Sequence, residues 1–184
     1  MRTSTGARRQ WLEAGQHLLR GGGFTAVKIQ ALTEHLGLTT GSFYHHFPSM
    51  GDYLDELAEY FGRDQPAALL SGISDRDPRT RLRRLHQLSL DEQMFPLYAA
   101  MRAWAASNER AAQAVAELDH VLLRFIEAAF RELGYPAAGA KVRAQLLLAG
   151  GVARISTPWP ISANAFEVTL DVLAPRDTKA RGRR

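Results

Sequence analysis

No cysteine occurs among the 184 residues, which rules out disulfides and thiolate metal sites and fits a reducing compartment. No apolar run reaches the roughly 18 residues of a membrane span, and no apolar core follows the charges of "MRTSTGARRQW". Neither a membrane segment nor a secretory leader is therefore expected. Catalytic signatures are missing too. There is no HExxH pair, and no nucleophile and base stand at a recognisable spacing. The glycines at 21–23 are not followed by the Gly-Lys-Ser/Thr that completes a phosphate loop, so they read as a helix stop. The six histidines lie scattered at 17, 35, 45, 46, 86 and 120. An enzyme is not expected, nor a cofactor. Alternating strand patterns and hairpin dipeptides are absent as well.

What is present is helical and unevenly charged. Hydrophobic residues make up 46% of the chain, enough for one compact unit or two small ones. Residues 1–50 hold Arg2, Arg8, Arg9, Arg20 and Lys28 against Glu13 and Glu34, and residues 176–184 hold five basic residues against Asp177. With a net charge of +4 overall, the stretch between must be mildly acidic. A basic N-terminal module ahead of such a body predicts a polyanionic partner for that module only. Residues 7–20 place Trp11, Leu12, Gly15, Leu18 and Leu19 on one helical face. Thr25 is a candidate cap for a second helix over 26–35, with Val27, Ile29, Leu32 and Leu36 inward. Gly37 makes a turn, Thr39 caps a third helix over about 40–46, and Pro48-Ser49 opens a fourth with Tyr53, Leu54, Leu57, Tyr60 and Phe61 at helical spacing. Residues 64–78 read as a mixed connector. Further helices are expected at about 79–92, 96–106, 108–133, 137–156 and 162–174, giving about nine in an all-α chain. Asn108 caps the longest, whose stripe of Val115, Leu118, Leu122, Phe125, Ala129, Phe130 and Leu133 is a core face.

The informative stretch is "LGLTTGSFYHHF". Two short helices joined at Gly37 describe a helix-turn-helix. Leu32, Leu36, Leu38, Phe43 and Phe47 can form a small core with Trp11, Leu18 and Phe24. That leaves Thr40, Gly41, Ser42, Tyr44 and His45 outward at the start of the third helix, where hydroxyl, phenol and imidazole groups suit phosphates and base edges. Gly41 costs about 1 kcal/mol in a helix, so its reason lies in packing or in an approaching partner. His45 and His46 are neighbours on a helix and point about 100° apart, which does not make a metal pair. His46 reads as a packed residue.

The run "FTAVKIQALTEHLGLTTGSFYHHFPSMGDYLDEL" resembles the DNA-binding signature of the tetracycline-repressor (TetR) family of transcriptional regulators. The likeness lies in Phe24-Thr25, in Gly37-Leu38-Thr39 and in Gly41-Ser42-Phe43-Tyr44-His45-His46-Phe47, and it covers roughly residues 8–61. It implies phosphate contacts from Thr25, Thr39, Ser42 and Tyr44. It also implies base-edge contacts from Thr40, Gly41 and His45, with Lys28, Arg8 and Arg9 as supporting charge. Met50 stands where the family usually has a phosphate-binding lysine, and losing that contact should shallow the salt dependence by roughly 0.9 in log–log slope.

The resemblance divides the chain into a helix-turn-helix DNA-binding domain at 1–48, a helical effector-binding and dimerisation domain at 49–175 and a disordered basic tail at 176–184. Its implied partners are double-stranded DNA with a palindromic operator, a second copy of the chain and a small, mostly apolar effector, all in the cytoplasm and without a membrane. The dimer surface is expected on the last two helices at Leu147, Gly151, Val152, Phe166, Leu170 and Leu173, although ordinary packing within the chain also explains the glycine pair 150–151. Effector-pocket candidates are Met101, Trp104, His120 and Phe125, for which a plain core is the competing reading. A second function class is a helical scaffold whose basic N-terminus meets another polyanion.

Overall fold

The computed structural model describes residues 2–156 and 164–176. Among the described residues there is no strand. In chain order the elements are α1 (Arg2–Gly22), a 3-10 turn (Phe24–Ala26), α2 (Ile29–Leu36), α3 (Thr40–His46) and α4 (Met50–Glu59). A π-helical turn (Tyr60–Asp64), α5 (Gln65–Ser71), α6 (Pro78–Asp91) and α7 (Met94–Ala105) follow, then α8 (Glu109–Glu132), α9 (Ala137–Ser156) and α10 (Ala165–Leu173). The helix begun by Ser49 thus does not end before residue 64. It absorbs one π turn and runs on through Ser71, so the expected connector shrinks to the residues before Pro78. The tail at 177–184 lies outside the described residues.

The chain divides into two compact units. One comprises Met1–Gly72 with Glu92–His120, and the other comprises Ile73–Asp91 with the chain from Val121 onward. Helix α8 runs from one into the other. Each unit has its own core.

The first unit is built on aromatic packing. Trp11, Leu32, Phe43, Phe47, Tyr53 and Leu57 are all sealed from solvent. Phe43 meets Trp11 edge-on at 5.5 Å between centroids, and Phe47 meets Tyr53 at 4.9 Å. The buried Tyr53 hydroxyl donates to the Trp11 carbonyl at 2.9 Å, and desolvation raises its pKa far above the usual phenol value. Helix α1 approaches α4 through Gly15, where a β-carbon would overlap the Tyr53 hydroxyl and sit 3.0 Å from Leu57 Cδ2. At the π turn, Gly62 lies against the backbone of Ala114 on α8. Asn108 caps α8 by accepting from the Ala111 amide at 2.8 Å. Tyr98 donates its hydroxyl to Asp119, and Arg102 donates to both, at 2.9 Å each. Burial first and Asp119 second push the Tyr98 phenol up to about 12.

In the second unit α6 fastens α10 by side chains at helical spacing. Arg79 reaches Asp171 and the Ala174 carbonyl. Arg83 binds both oxygens of Glu167 at 2.7 and 3.0 Å, and His86 stacks face to face on Phe166 at 4.1 Å. Arg143 of α9 donates to the Leu173 carbonyl at 2.7 Å, closing the C-terminal end of α10. Leu82, Phe130, Ala140, Ala144 and Leu170 fill the core between these helices.

Three local expectations are corrected. Thr25 does not cap α2. It lies in the 3-10 turn with its hydroxyl toward the Gly22 carbonyl at 3.5 Å, and Lys28 occupies the cap position without a side-chain bond. Leu38 is not a core residue but 43% exposed, because the left-handed turn at Gly37 breaks the helical period that placed it inward. Phe24 is also partly exposed. It leaves the small core and stacks on Trp104 at 4.9 Å.

Candidate nucleic-acid interface

Helix α2 ends where Gly37 adopts φ 66°, ψ 30°, a conformation that costs glycine little and other residues more. The Gly37 amide donates to the Glu34 carbonyl at 3.4 Å and the Leu38 amide to the Thr33 carbonyl at 3.0 Å. This pair of bonds fixes the direction in which the chain leaves. Thr39 then caps α3, its hydroxyl accepting from the Ser42 amide at 3.2 Å. Below, Phe43 and Phe47 anchor α3 in the sealed core. Above, Thr39, Thr40, Gly41, Tyr44 and His45 are exposed and Ser42 is half-buried. Tyr44 is 52% exposed, its ring perpendicular to that of Phe43 at 5.4 Å between centroids.

Gly41 has no packing reason to be glycine. A β-carbon there would meet only Thr39 Oγ1, at an ordinary 3.7 Å. The chain's own neighbours therefore leave room for a side chain at position 41.

The supporting charges differ among themselves. Lys28 and Thr25 are exposed at the entrance to α2. Arg9 is exposed and paired with Glu13 at 2.8 Å. Arg8 is engaged within the head. Its Nε donates to Glu56 at 2.7 Å, its Nη1 to the His46 carbonyl at 2.8 Å, and its guanidinium lies 4.7 Å from the Phe47 ring centre. The hydrogen bond to Glu56 holds the Arg8 pKa above its ordinary value. Arg8 thus ties α1 to the end of α3 and to α4, a role that its place in a basic N-terminal run gave no sign of. His46 is half-buried, and desolvation, His45 and Arg8 lower its pKa. The imidazoles of His45 and His46 lie 5.1 Å apart at 70°. Among the described residues no group of three or more His, Asp or Glu could hold a metal ion. Met50 is half-buried at the first position of α4, behind the Ser49 cap.

The four effector-pocket candidates do not share one environment. In the first unit Met101 and Trp104 are buried and His120 is exposed; Phe125, in the second unit, is half-buried. His120 lies between Leu118 and Leu122 in sequence but on the side of α8 away from the core stripe, where the helical period itself puts it. Trp104, only 3% exposed, keeps its indole N–H without a hydrogen-bond partner.

The candidate dimer residues also fall into different environments. Leu170 and Leu147 are buried within their own chain, and Gly151, Val152, Phe166 and Leu173 are half-buried. Among the described residues of these helices, the large apolar side chains left exposed are Val142 and Leu146 on α9, and Val168 and Val172 on α10. Each pair is spaced i, i+4, so each lies on one helix face. Ala149 and Gly150 are exposed along the same side of α9.

Residues 12–57 match the family model described as bacterial regulatory proteins, tetR family. Solved structures share the fold at low identity. A transcriptional regulator from Rhodococcus sp. Rha1 aligns over 91% of this chain and 93% of its own, with a TM-score of 0.71 at 22% identity. A TetR-family regulator from Agrobacterium tumefaciens aligns over 92% and 97%, with a TM-score of 0.71 at 19% identity. A TetR-family regulator from Mesorhizobium loti aligns over 93% and 94%, with a TM-score of 0.68 at 18% identity. No curated protein matches the chain.

Proposed function

We infer that this chain, whose residues 12–57 match the model of the tetR family of bacterial regulatory proteins, is a repressor that binds a palindromic operator as a homodimer and is released by a small, mostly apolar effector. The observation that carries the operator reading is the two-sided third helix. Phe43 and Phe47 have no exposed surface, while Thr40, Gly41, Tyr44 and His45 are free on the other side. Hydroxyl, phenol and imidazole groups held on a rigid helix can donate to and accept from phosphates and base edges in a major groove. One such helix makes too few contacts for specificity. Two, related by a dimer axis and set about 34–36 Å apart, read a palindrome. The exposed faces of α9 and α10 support a second copy as the partner, and a DNA target in a bacterial cell implies a cytoplasmic site of action. For the effector, the supporting features reduce to Met101 and to the unpaired N–H of Trp104, a donor suited to one acceptor oxygen on an otherwise apolar molecule.

The test is selection of bound sequences from a random DNA library, followed by titration of the selected duplex. A palindrome should emerge. Tyr44→Phe removes one hydrogen-bonding group per half-site, worth about 1 kcal/mol each, and should weaken binding about tenfold or more. Recovery of no sequence would remove the operator reading.

Gly41→Ala has two expected effects of opposite sign. A helix-favouring residue in open space should stabilise the chain by about 0.5–1 kcal/mol, raising the unfolding midpoint by about 1–4 °C. The added methyl should lower operator affinity at least about tenfold, because it holds the backbone off its target. A variant that melts higher and binds DNA unchanged would show that nothing approaches Gly41.

A further inference from the structure

Within the DNA-binding region the large aliphatic side chains are buried or half-buried, with one exposed exception. Leu32, Phe43, Phe47, Tyr53 and Leu57 have no exposed surface, whereas Leu38 is 43% exposed. Two other large side chains of this region are exposed, and each has an evident reason. Phe24 stacks on Trp104, and Tyr44 carries a phenol. Leu38 has no polar group to offer. It is nonetheless rigidly held, with its amide on the Thr33 carbonyl, Gly37 fixed in the left-handed conformation before it and the Thr39 cap after it. The exposed residues adjoining it, Gly37, Thr39, Thr40 and Gly41, are uncharged. A leucine among them adds nothing to phosphate binding. On the base edges of a major groove, the apolar group that such a side chain can recognise is the C5-methyl of thymine.

We propose that Leu38 is a specificity-determining residue that packs against a thymine methyl in each operator half-site. The inference rests on the operator reading above and adds a base identity to it. Thr40, Tyr44 and His45 supply hydrogen bonds, and Leu38 distinguishes thymine from cytosine, which lacks the methyl at the same place.

The test uses the full-length protein and the operator recovered by selection. Each thymine is replaced in turn, symmetrically in both half-sites, by deoxyuridine, which differs from it by that methyl alone. Affinities are measured for the wild type, Leu38→Val and Leu38→Ala at one salt concentration, with circular dichroism to confirm that the variants fold. One symmetric thymine pair should matter. Its replacement should weaken the wild type about fourfold per half-site and about fifteenfold over both, following the value of one buried methyl. The same replacement should change Leu38→Ala by less than about twofold, with Leu38→Val between the two. An operator with no methyl-sensitive pair overturns the proposal, as does a Leu38→Ala variant that keeps the wild-type ratio of thymine to deoxyuridine binding. A uniform loss on every duplex would place Leu38 against the sugar–phosphate backbone and also overturns it. If the wild type selects no sequence at all, it is the operator reading that has failed, and this inference falls with it.

Discussion

Gly15→Ala is expected to lower the unfolding midpoint by about 5–15 °C, although alanine is the better helix former. The added methyl would overlap the Tyr53 hydroxyl and press on Leu57 at 3.0 Å. Neither neighbour can retreat easily. Both are fully buried, and Tyr53 is further fixed by its hydrogen bond to the Trp11 carbonyl. Overpacking of this kind costs about 1–3 kcal/mol, and breaking a buried hydrogen bond adds about 1–3 kcal/mol, against a propensity gain of about 1 kcal/mol. Steric cost therefore wins, leaving a net loss of about 1–5 kcal/mol, centred near about 3. Calorimetry on Gly15→Ala, Tyr53→Phe and the double variant separates the contributions. Tyr53→Phe removes the overlapping oxygen, so the second substitution should cost markedly less in that background. Equal cost in both backgrounds would mean that the contact between α1 and α4 is not what excludes a side chain at position 15.

That glycine illustrates what periodicity can and cannot convey. The inward face of α1 was legible, and Gly15 fell on it, but the tyrosine that requires it stands 38 positions further along the chain. Local signals were reliable where their physics is local. Thr39 and Asn108 accept the cap bonds expected of them, and Phe43 and Phe47 sit inside because the 3.6-residue period holds across α3. The same rule failed at Leu38, since one left-handed residue resets the phase. It failed for residues 65–71 because a π turn lets a helix continue through a sequence that looks like a break. Composition could also not tell an available arginine from a committed one. Arg8 and Arg9 are adjacent in a basic segment, yet only the folded chain places Glu56 and the His46 carbonyl under Arg8.

For the homodimer proposed above, Val172→Asp is expected to give a monomer at micromolar concentration while leaving the fold intact. At 72% exposed, Val172 contributes almost nothing to the packing of its own chain, so a carboxylate there remains solvated in the monomer. In a symmetric interface the substitution acts twice. Two charges would be buried against Val142, Leu146 and Val168 of the opposite copy, costing several kcal/mol, or about a hundredfold or more in dimer affinity. Operator binding should fall with it, because two half-sites would have to be filled independently. Leu170→Asp is the contrasting variant. Leu170 has no exposed surface, so a charge there should unfold the helix pair α9–α10 rather than separate a pair of folded chains. Sedimentation and thermal melting distinguish the outcomes: Val172→Asp should be small and stable, Leu170→Asp destabilised whatever its size. A Val172→Asp protein that remains a dimer would mean that these exposed valines face solvent in the assembled regulator, and that the partner copy binds elsewhere.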